Sequence, residues 1–362
     1  MAIPPLAPPP VRGRGATLNT RSARFDDRAH EDDGDWLDAR NDIDGEAPPL
    51  RTIVTIEKPK TVVTYQRSPD IPFDRSINAY RGCEHGCIYC FARPTHAFHN
   101  LSPGLDFESK LFAKPSAPAL LRAELMKTSY ACQPIAMGTN TDPYQPIEQR
   151  WKITRQILEV LQEFNHPFTI TTKSARVTRD LDVLAPMATL GLSAVMMSVT
   201  SLDPKIARTL EPRASAPHQR IRAIRELSAA GVPVFVSISP VVPAITDHEI
   251  EAIVEAAAEA GARGAFSLLV RLPHEVAPLF RAWLDAHFPD RKAKVMALIR
   301  EARGGKDNDG EFHTRFRPQG AYAAMLRTRF EKACRKHGIG HDRLTLDTSR
   351  FRRPGPQQLG LF

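Results

Sequence analysis

From about Ile53 onward, short apolar runs alternate with amphipathic stretches along the chain. That is the texture of strands buried on both faces and helices buried on one. The apolar runs predict strands over Ser76 to Tyr80, Pro134 to Gly138, Phe168 to Thr172, Ala194 to Thr200, Val232 to Ser239 and Ala265 to Val270. The stretches between them predict helices over Ala117 to Lys127, Ile147 to Phe164, Thr178 to Leu190, Pro217 to Ala230 and Thr246 to Ala260. Thr246 followed by Glu249 is spelled like a capping box, and Gly231 and Gly261 stand where helices end in the left-handed conformation. Strand and helix thus alternate about six times, which requires right-handed crossovers and a parallel sheet. Six units between residues 76 and 270 are too few for the usual eight-unit closed barrel. The expected fold is α/β, a partial (β/α)6 TIM-like barrel, with a doubly wound sheet as the alternative. In either architecture ligands gather at the C-terminal ends of the strands. After Val270 the pattern turns helical, over Val276 to His287, Ala293 to Arg303 and Gly320 to His337, as an extension expected to pack on the barrel.

The first fifty or so residues are rich in Pro, Gly, Arg and Asp and poor in aliphatics, so they bury too little to offset the entropy of ordering. A disordered or loosely attached N-terminal tail is expected, within which Arg14 to Phe25 can still lie on the body. The expected divisions are residues 1–50 for the tail, 51–272 for the barrel, 273–353 for the helical extension and 354–362 for an extended end. The whole chain, 362 residues with 42% hydrophobic, suffices for one large domain or two ordinary ones. No stretch approaches the roughly 18 uninterrupted apolar residues of a membrane span. The start MAIPPLAPPP has neither a charged n-region nor an unbroken apolar core. A soluble, cytoplasmic protein without membrane contact is expected. The net charge of +8 is uneven: an acidic excess runs from Glu31 to Glu46, and nine Lys or Arg stand against three acids from Met325 to Arg353. The basic run either attracts phosphate backbones or serves solubility alone.

Five cysteines is an odd number, and three of them, Cys83, Cys87 and Cys90, fall within eight residues, which points to a metal or reactive site rather than a disulfide framework. The C-x3-C-x2-C spacing follows the first predicted strand, so three thiolates can converge on one inorganic centre. A [4Fe-4S] cluster is normally held by four cysteines; three leave one iron open to a substrate or cofactor. The alternative is a structural Cys3His zinc site with His85, His96 or His99 as the fourth ligand. The chain has no second Cys-x2-Cys knuckle, which favours iron–sulfur. Cys132 and Cys334 read as ordinary cysteines, Cys334 as a buried apolar position on a helix.

The cysteine motif with Tyr89 just before its last cysteine resembles the signature of the radical S-adenosylmethionine (SAM) superfamily. Asn78 to Arg93, Thr141-Asp142-Pro143-Tyr144-Gln145-Pro146, Thr172-Lys173-Ser174, Ser198-Val199-Thr200 and Leu210-Glu211-Pro212-Arg213 resemble the branch grouped with spore photoproduct lyase, over residues 50 to 350. The resemblance implies a [4Fe-4S] cluster on Cys83, Cys87 and Cys90 and SAM chelated by the open iron. An electron from reduced flavodoxin or ferredoxin then cleaves SAM to methionine and a 5′-deoxyadenosyl radical that abstracts hydrogen from a substrate. It also implies SAM contacts at Thr141, Asp142, Lys173 and Ser198. Tyr89 and Phe91 can pack against adenine, although Phe91 equally suits a plain core position. Lys173 can pair with the SAM carboxylate, as can Arg213. The lyase of that branch has a cysteine three residues before the matching Asp; Thr139 stands there, a poor hydrogen-atom donor, so the lyase reaction itself is not assigned.

Toward the substrate, Arg208, Glu211, Arg213, Arg220, Arg222 and Arg225 surround the fourth strand's exit and the helix after it, about half of them on a solvated face. Arg271 and His274 follow the sixth strand, His274 as a proton relay or a satisfied structural group. Arg303-Gly304-Gly305-Lys306 with the acidic residues after it is expected to form a flexible loop, either a lid or a turn. The last residues, Gln358, Leu359, Leu361 and Phe362, resemble the peptide by which bacterial repair and replication proteins dock on the sliding clamp. These features predict a radical SAM enzyme acting on nucleic acid. A non-catalytic metal-binding nucleic-acid adaptor, or a radical enzyme with a peptide or small-molecule substrate, are the alternatives.

Overall fold

The structure is a computed structural model that describes residues 11, 13–22, 24, 50–340 and 345–355. Its strands are β1 Ile53–Ile56, β2 Val63–Tyr65, β3 Arg75–Ile77, β4 Tyr80–Arg81, β5 Lys110–Ala113, β6 Ile135–Met137, β7 Phe168–Thr172, β8 Ser193–Ser198, β9 Val234–Val241 and β10 Gly264–Leu269. Seven of them form one sheet in the order β10-β9-β8-β7-β6-β3-β2. All its neighbours are parallel except the β2–β3 pair. Six parallel strands with helical crossovers make the partial barrel that the alternation requires. Their shared direction puts the residues that follow β3, β6, β7, β8, β9 and β10 at one end.

The first predicted strand, Ser76 to Tyr80, is two elements. β3 stays in the barrel, whereas β4 leaves it to pair with β5 in a three-stranded sheet ordered β1-β5-β4. The break falls at Asn78, whose side-chain oxygen accepts the Asn140 amide at 2.9 Å beyond β6, while the Ala79 carbonyl accepts from Lys114. The helix predicted over Ile147 to Phe164 also divides, into Glu148–Trp151 and Ile153–Glu163, with Lys152 between them at φ +51°. There the Glu148 carboxylate accepts the Thr154 and Arg155 amides at 3.0 and 3.3 Å and starts a second helix. The segment predicted as a helix from Thr178 begins with a 3₁₀ turn, Ala175–Asp180, and continues as Leu181–Thr189.

The Thr246–Glu249 capping box is not formed. Thr246 Oγ1 accepts the Val242 amide, and the Glu249 carboxylate is drawn away by Ser201 Oγ and the amides of Leu202 and Asp203. Gly231 and Gly261 do end their helices at φ +81° and +91°, where a side chain would be strained.

The main core fills the barrel, and the helix Gly320–Lys336 adds Leu326, Phe330 and Cys334 to it. A second core joins Cys87, Ile88, Tyr89 and Leu210 to Phe280 and Trp283 of the helix Val276–His287. Trp283 donates its indole N–H to the Thr209 carbonyl at 3.0 Å, so a C-terminal helix supports the loop that bears the cysteines.

Both ends of the described chain are fastened. Of the N-terminal segment, residues 13–22 and 24 lie against the body rather than loose, with Arg14 and Thr17 buried and Ala16 fully so; apart from Val11, the rest of residues 1–49 falls outside the described residues. Near the C-terminus, Phe351 packs against Tyr130, Phe164 and His166. Arg353 donates to the carbonyls of Leu125, Lys127 and Tyr130, so part of the basic run caps a helix. Gln358, Leu359, Leu361 and Phe362 lie outside the described residues. Among the described residues no helix is long and apolar enough to cross a membrane.

Candidate active site

Cys83, Cys87 and Cys90 sit on one tight loop after β4; Cys83 and Cys87 are buried and Cys90 is half-buried, all as free thiols. Gly82 and Gly86 take φ +72° and +67°, and a Cβ on Gly82 would stand 2.6 Å from Leu111 and 2.8 Å from the Phe107 carbonyl, so the turn needs glycine. The loop folds on itself through Gly86 N–H to Cys83 O, Cys90 N–H to Cys87 O and Arg93 N–H to Cys90 O. It is tied outward by Cys83 N–H to Phe107 O and Ile88 N–H to Leu210 O.

Arg93, fully buried, holds the loop's shape. Its guanidinium donates to the carbonyls of Cys87 (2.8 Å), Gly86 (3.1 Å), Pro103 and Gly104 (both 3.0 Å), and to Glu108 Oε1 at 2.5 Å. Glu108 also accepts the amides of Gly15 and Ala16 at 3.0 and 2.8 Å, which fastens the N-terminal segment over the loop. Arg14 extends this network to the Leu50 carbonyl and Thr52 Oγ1. Thr52 in turn donates to Glu84 at 2.6 Å, and Glu84 pairs with Arg213 at 3.1 Å. Beyond β6, Thr141 donates its hydroxyl to Gly82 O at 2.6 Å. Gln145 spans Gly82 O, Thr141 Oγ1 and the Glu84 amide. The backbone on either side of Cys83 is thereby fixed from two directions.

A buried charge network lies beside Cys87. Glu211 accepts from the Tyr89 phenol, from Thr200 Oγ1 at 2.6 Å and from Arg220. Arg220 is itself held by the carbonyls of Ser215 (2.7 Å) and Ser198 (3.1 Å). Burial alone would raise the Glu211 pKa, but the charges of Arg220 and Lys173 outweigh it and hold the carboxyl at about 2. Lys173 is half-buried, with its ammonium 5.8 Å from the Tyr89 ring centre and without a hydrogen bond among the described residues. Burial works against its charge, yet Cys87 and Glu211 raise its pKa above the usual lysine value.

The three thiols are free and share one loop, the donor set that a cluster held by three cysteines would use. Burial first, then Asp142 and Cys87, pushes the Cys83 thiol well up; burial and Glu211 do the same at Cys87. Thiolates there want a cationic centre between them. His85 turns its ring to Asp142 at 3.4 Å, and His96 bonds the Lys110 carbonyl at 2.8 Å. Among the described residues no three His, Cys, Asp or Glu groups are gathered as one ion's ligands. A four-iron cube, whose corners stand apart, asks less convergence of its thiols than a single zinc.

The remaining sequence candidates fall into three settings. Asp142 is engaged on both oxygens, by Thr172 Oγ1 (2.7 Å), the Tyr144 amide (2.9 Å) and the Lys173 amide (2.8 Å). Burial notwithstanding, His85 and these donors hold its pKa at about 2. Ser198 is buried at the end of β8, and Phe91 is 59% exposed rather than a core aromatic. Arg208, Arg222, Arg225 and His274 are exposed, as a solvated face predicts for the arginines. Arg303 is not part of a mobile lid: it is buried and donates to the carbonyls of Leu269, Val270 and Arg315. Arg93, Glu108, Gln145 and the segment Gly13 to Ser22 were not singled out as functional from sequence. Arg93 and Gln145 lie in the stretches Asn78 to Arg93 and Thr141 to Pro146 that carry the resemblance, and Arg14 to Phe25 is expected to be able to lie on the body; Glu108 carries no signal.

The family described as Radical SAM superfamily matches residues 77–257. An uncharacterized protein of Mycobacterium tuberculosis is 34% identical over 232 residues, 64% of this chain and 68% of that protein. An uncharacterized protein of Methanocaldococcus jannaschii is 29% identical over 173 residues, 48% of this chain and 62% of its own. Among solved structures, spore photoproduct lyase complexed with dinucleoside spore photoproduct superposes with a TM-score of 0.54 at 13% identity, covering 78% of this chain and 79% of that one. A structure of the same lyase with bound AdoMet gives 0.50 at 13% identity over the same shares. At such identity the likeness is one of fold.

Proposed function

The chain belongs to the radical SAM superfamily, enzymes that use a [4Fe-4S] cluster and SAM, and from that membership we propose that it abstracts hydrogen from a nucleic-acid substrate at a site built on Cys83, Cys87 and Cys90. The observation that carries this reading is the loop itself: three free thiols, buried or half-buried, braced by Arg93 and Thr141, with the Lys173 ammonium, which has no hydrogen bond among the described residues, beside the Tyr89 ring. When bound, the reduced cluster and SAM together supply a 5′-deoxyadenosyl radical that abstracts hydrogen.

The chain's own residues have distinct tasks. Lys173 takes the SAM carboxylate, because its ammonium is charged and has no hydrogen bond within the described protein. Asp142 positions Lys173 through its backbone amide, and Thr141 positions Cys83 through the Gly82 carbonyl. Ser198 faces the ribose, and Tyr89 and Phe91 the adenine. Tyr89 is held by Glu211, whereas Phe91 is exposed and free to cover a ligand. Arg213 docks its amide on the His85 carbonyl and its guanidinium on Glu84, and so steadies the loop. The second core and the N-terminal segment keep water from the thiols.

Two things support nucleic acid as the substrate: the net charge of +8 and the fold shared with a lyase whose structure holds a dinucleoside photoproduct. Reduced flavodoxin or ferredoxin is the proposed electron donor, and the cytoplasm the proposed compartment. The test is 5′-deoxyadenosine formation by the reconstituted enzyme with SAM and reductant, with and without ultraviolet-irradiated DNA, intact DNA or RNA. Stimulation several-fold by one of these supports the reading. Stimulation by none of them, at low salt where phosphate contacts are strongest, removes nucleic acid from it.

A further inference from the structure

Five buried side-chain polar atoms lack a hydrogen-bond partner among the described residues, and two of them, Arg271 Nε and Arg303 Nε, belong to one rim. Arg271 leaves β10, at the strand end where the cysteine loop's supports also lie. The segment that faces it carries Arg315 and Phe316. Arg315 grips Asp70 with two bonds of 2.6 and 2.7 Å. Asp70 sits between β2 and β3 at the opposite edge of the sheet, so this pair bridges the two edges of the open barrel. Arg303 is spent on backbone carbonyls. Arg271 differs from both. It makes no hydrogen bond or ion pair among the described residues, and its guanidinium stands over the Phe316 ring at 4.7 Å. Arg315 stands over the same ring at 4.9 Å and over Phe312 at 4.8 Å.

The electrostatics of the rim are unbalanced. Three guanidinium groups face two carboxylates, Asp70 and Asp309, and burial together with Arg315 and Arg303 lowers the Arg271 pKa. A half-buried guanidinium with a free fork, next to like charges, is costly unless an anion completes it. The ring that carries it also lines a cavity of about 340 Å³ along β10, together with Arg317 and Arg327. Phe312, 53% exposed beside Arg315, offers a face on which a base can stack.

We propose that Arg271, stacked on Phe316 and with Phe312 on the neighbouring Arg315, is the docking site for a phosphate group of the substrate strand. This deepens the reading above and rests on it only for the strand; the phosphate site stands on the rim's own geometry. Arginine–phosphate pairing supplies the affinity, and the aromatic faces favour a nucleotide over a bare anion.

The test has two arms on the reconstituted enzyme. In the first, binding of a fluorescein-labelled 12-nucleotide single-stranded DNA is followed by anisotropy across a salt series for the parent, Arg271→Gln and Phe312→Ala. We expect Arg271→Gln to weaken binding about tenfold and to lower the slope of log affinity against log salt by about one. Phe312→Ala is exposed and so leaves the fold intact, and it should weaken binding several-fold with the slope unchanged. In the second arm, protection of Arg271 from phenylglyoxal by inorganic phosphate is read by mass spectrometry. Protection without oligonucleotide binding upholds the phosphate site and removes nucleic acid from the proposed function. Oligonucleotide binding that is the same in the parent and Arg271→Gln, or an Arg271 that phosphate leaves unprotected, overturns the site and spares the broader reading.

Discussion

The cysteine loop and the Arg271 rim each contain a guanidinium out of bulk water, and the two are treated in opposite ways. Arg93 is fully buried and donates to four carbonyls and the Glu108 carboxylate, whereas half-buried Arg271 has a ring beneath it and no hydrogen bond among the described residues. A group that must hold a metal-binding loop before any cofactor arrives has its partners built in, at the cost of long-range connections. A group that must receive a ligand keeps its donors free, and the fold bears the cost of leaving them so. The difference separates what the protein brings ready-made from what it leaves for its substrate to complete.

Substitutions can break this comparison in graded steps. The largest effect belongs to Arg93→Ala, which strands Glu108 and four carbonyls in the interior. About 3–5 kcal/mol of stability should go with it, read by denaturant unfolding of the iron-free protein, and little iron should be retained. A loss under about 1 kcal/mol would mean that the loop is held by its backbone alone.

Next comes Gly15→Ala, since a Cβ there would stand 1.8 Å from the Gly86 carbonyl and must push the N-terminal segment off the loop. We expect about 1–3 kcal/mol of destabilisation and a cluster that bleaches several-fold faster in air. Bleaching at the parent's rate would show that the segment does not shield the thiols.

Thr141→Val removes the bond to Gly82 O and the one accepted from Gln145 and should cost about 1–2 kcal/mol, with Thr141→Ser restoring most of it. The smallest effect sharpens the contrast from the other side: Arg271→Met should leave the melting temperature unchanged or raise it by a few degrees, because it removes an uncompensated charge. A melting temperature lowered as far as that of Arg93→Ala would show that Arg271 has structural partners after all.

The same contrast explains how much of the molecule was legible. Barrel strands such as β8 and β9 are buried on both faces, so they print near-continuous apolar runs, and the alternation with helices carries the topology. β1 and β2 are three or four residues long and mostly exposed, so they print almost nothing. The break at Lys152 has no Gly or Pro to announce it; a carboxylate four residues earlier decides it. The capping box failed because Ser201 and Leu202, nearly fifty residues away, outbid the local bond for Glu249. The cysteine loop was legible because its three cysteines fall within eight residues and their spacing is itself a chemical signal. Glu108 and the N-terminal segment were not, because their partnership closes over about 93 residues and the carboxylate is met by the Gly15 and Ala16 backbone amides, which no residue type announces.

The central claim is that Cys83, Cys87 and Cys90 hold a cluster with one iron open to SAM. Anaerobic reconstitution with iron and sulfide, followed by electron paramagnetic resonance of the reduced protein with and without SAM, tests it most directly. The account predicts a [4Fe-4S] signal that changes on adding SAM and is absent in Cys87→Ala, accompanied by 5′-deoxyadenosine. A protein that takes up one zinc, shows no cluster signal and leaves SAM intact would contradict it.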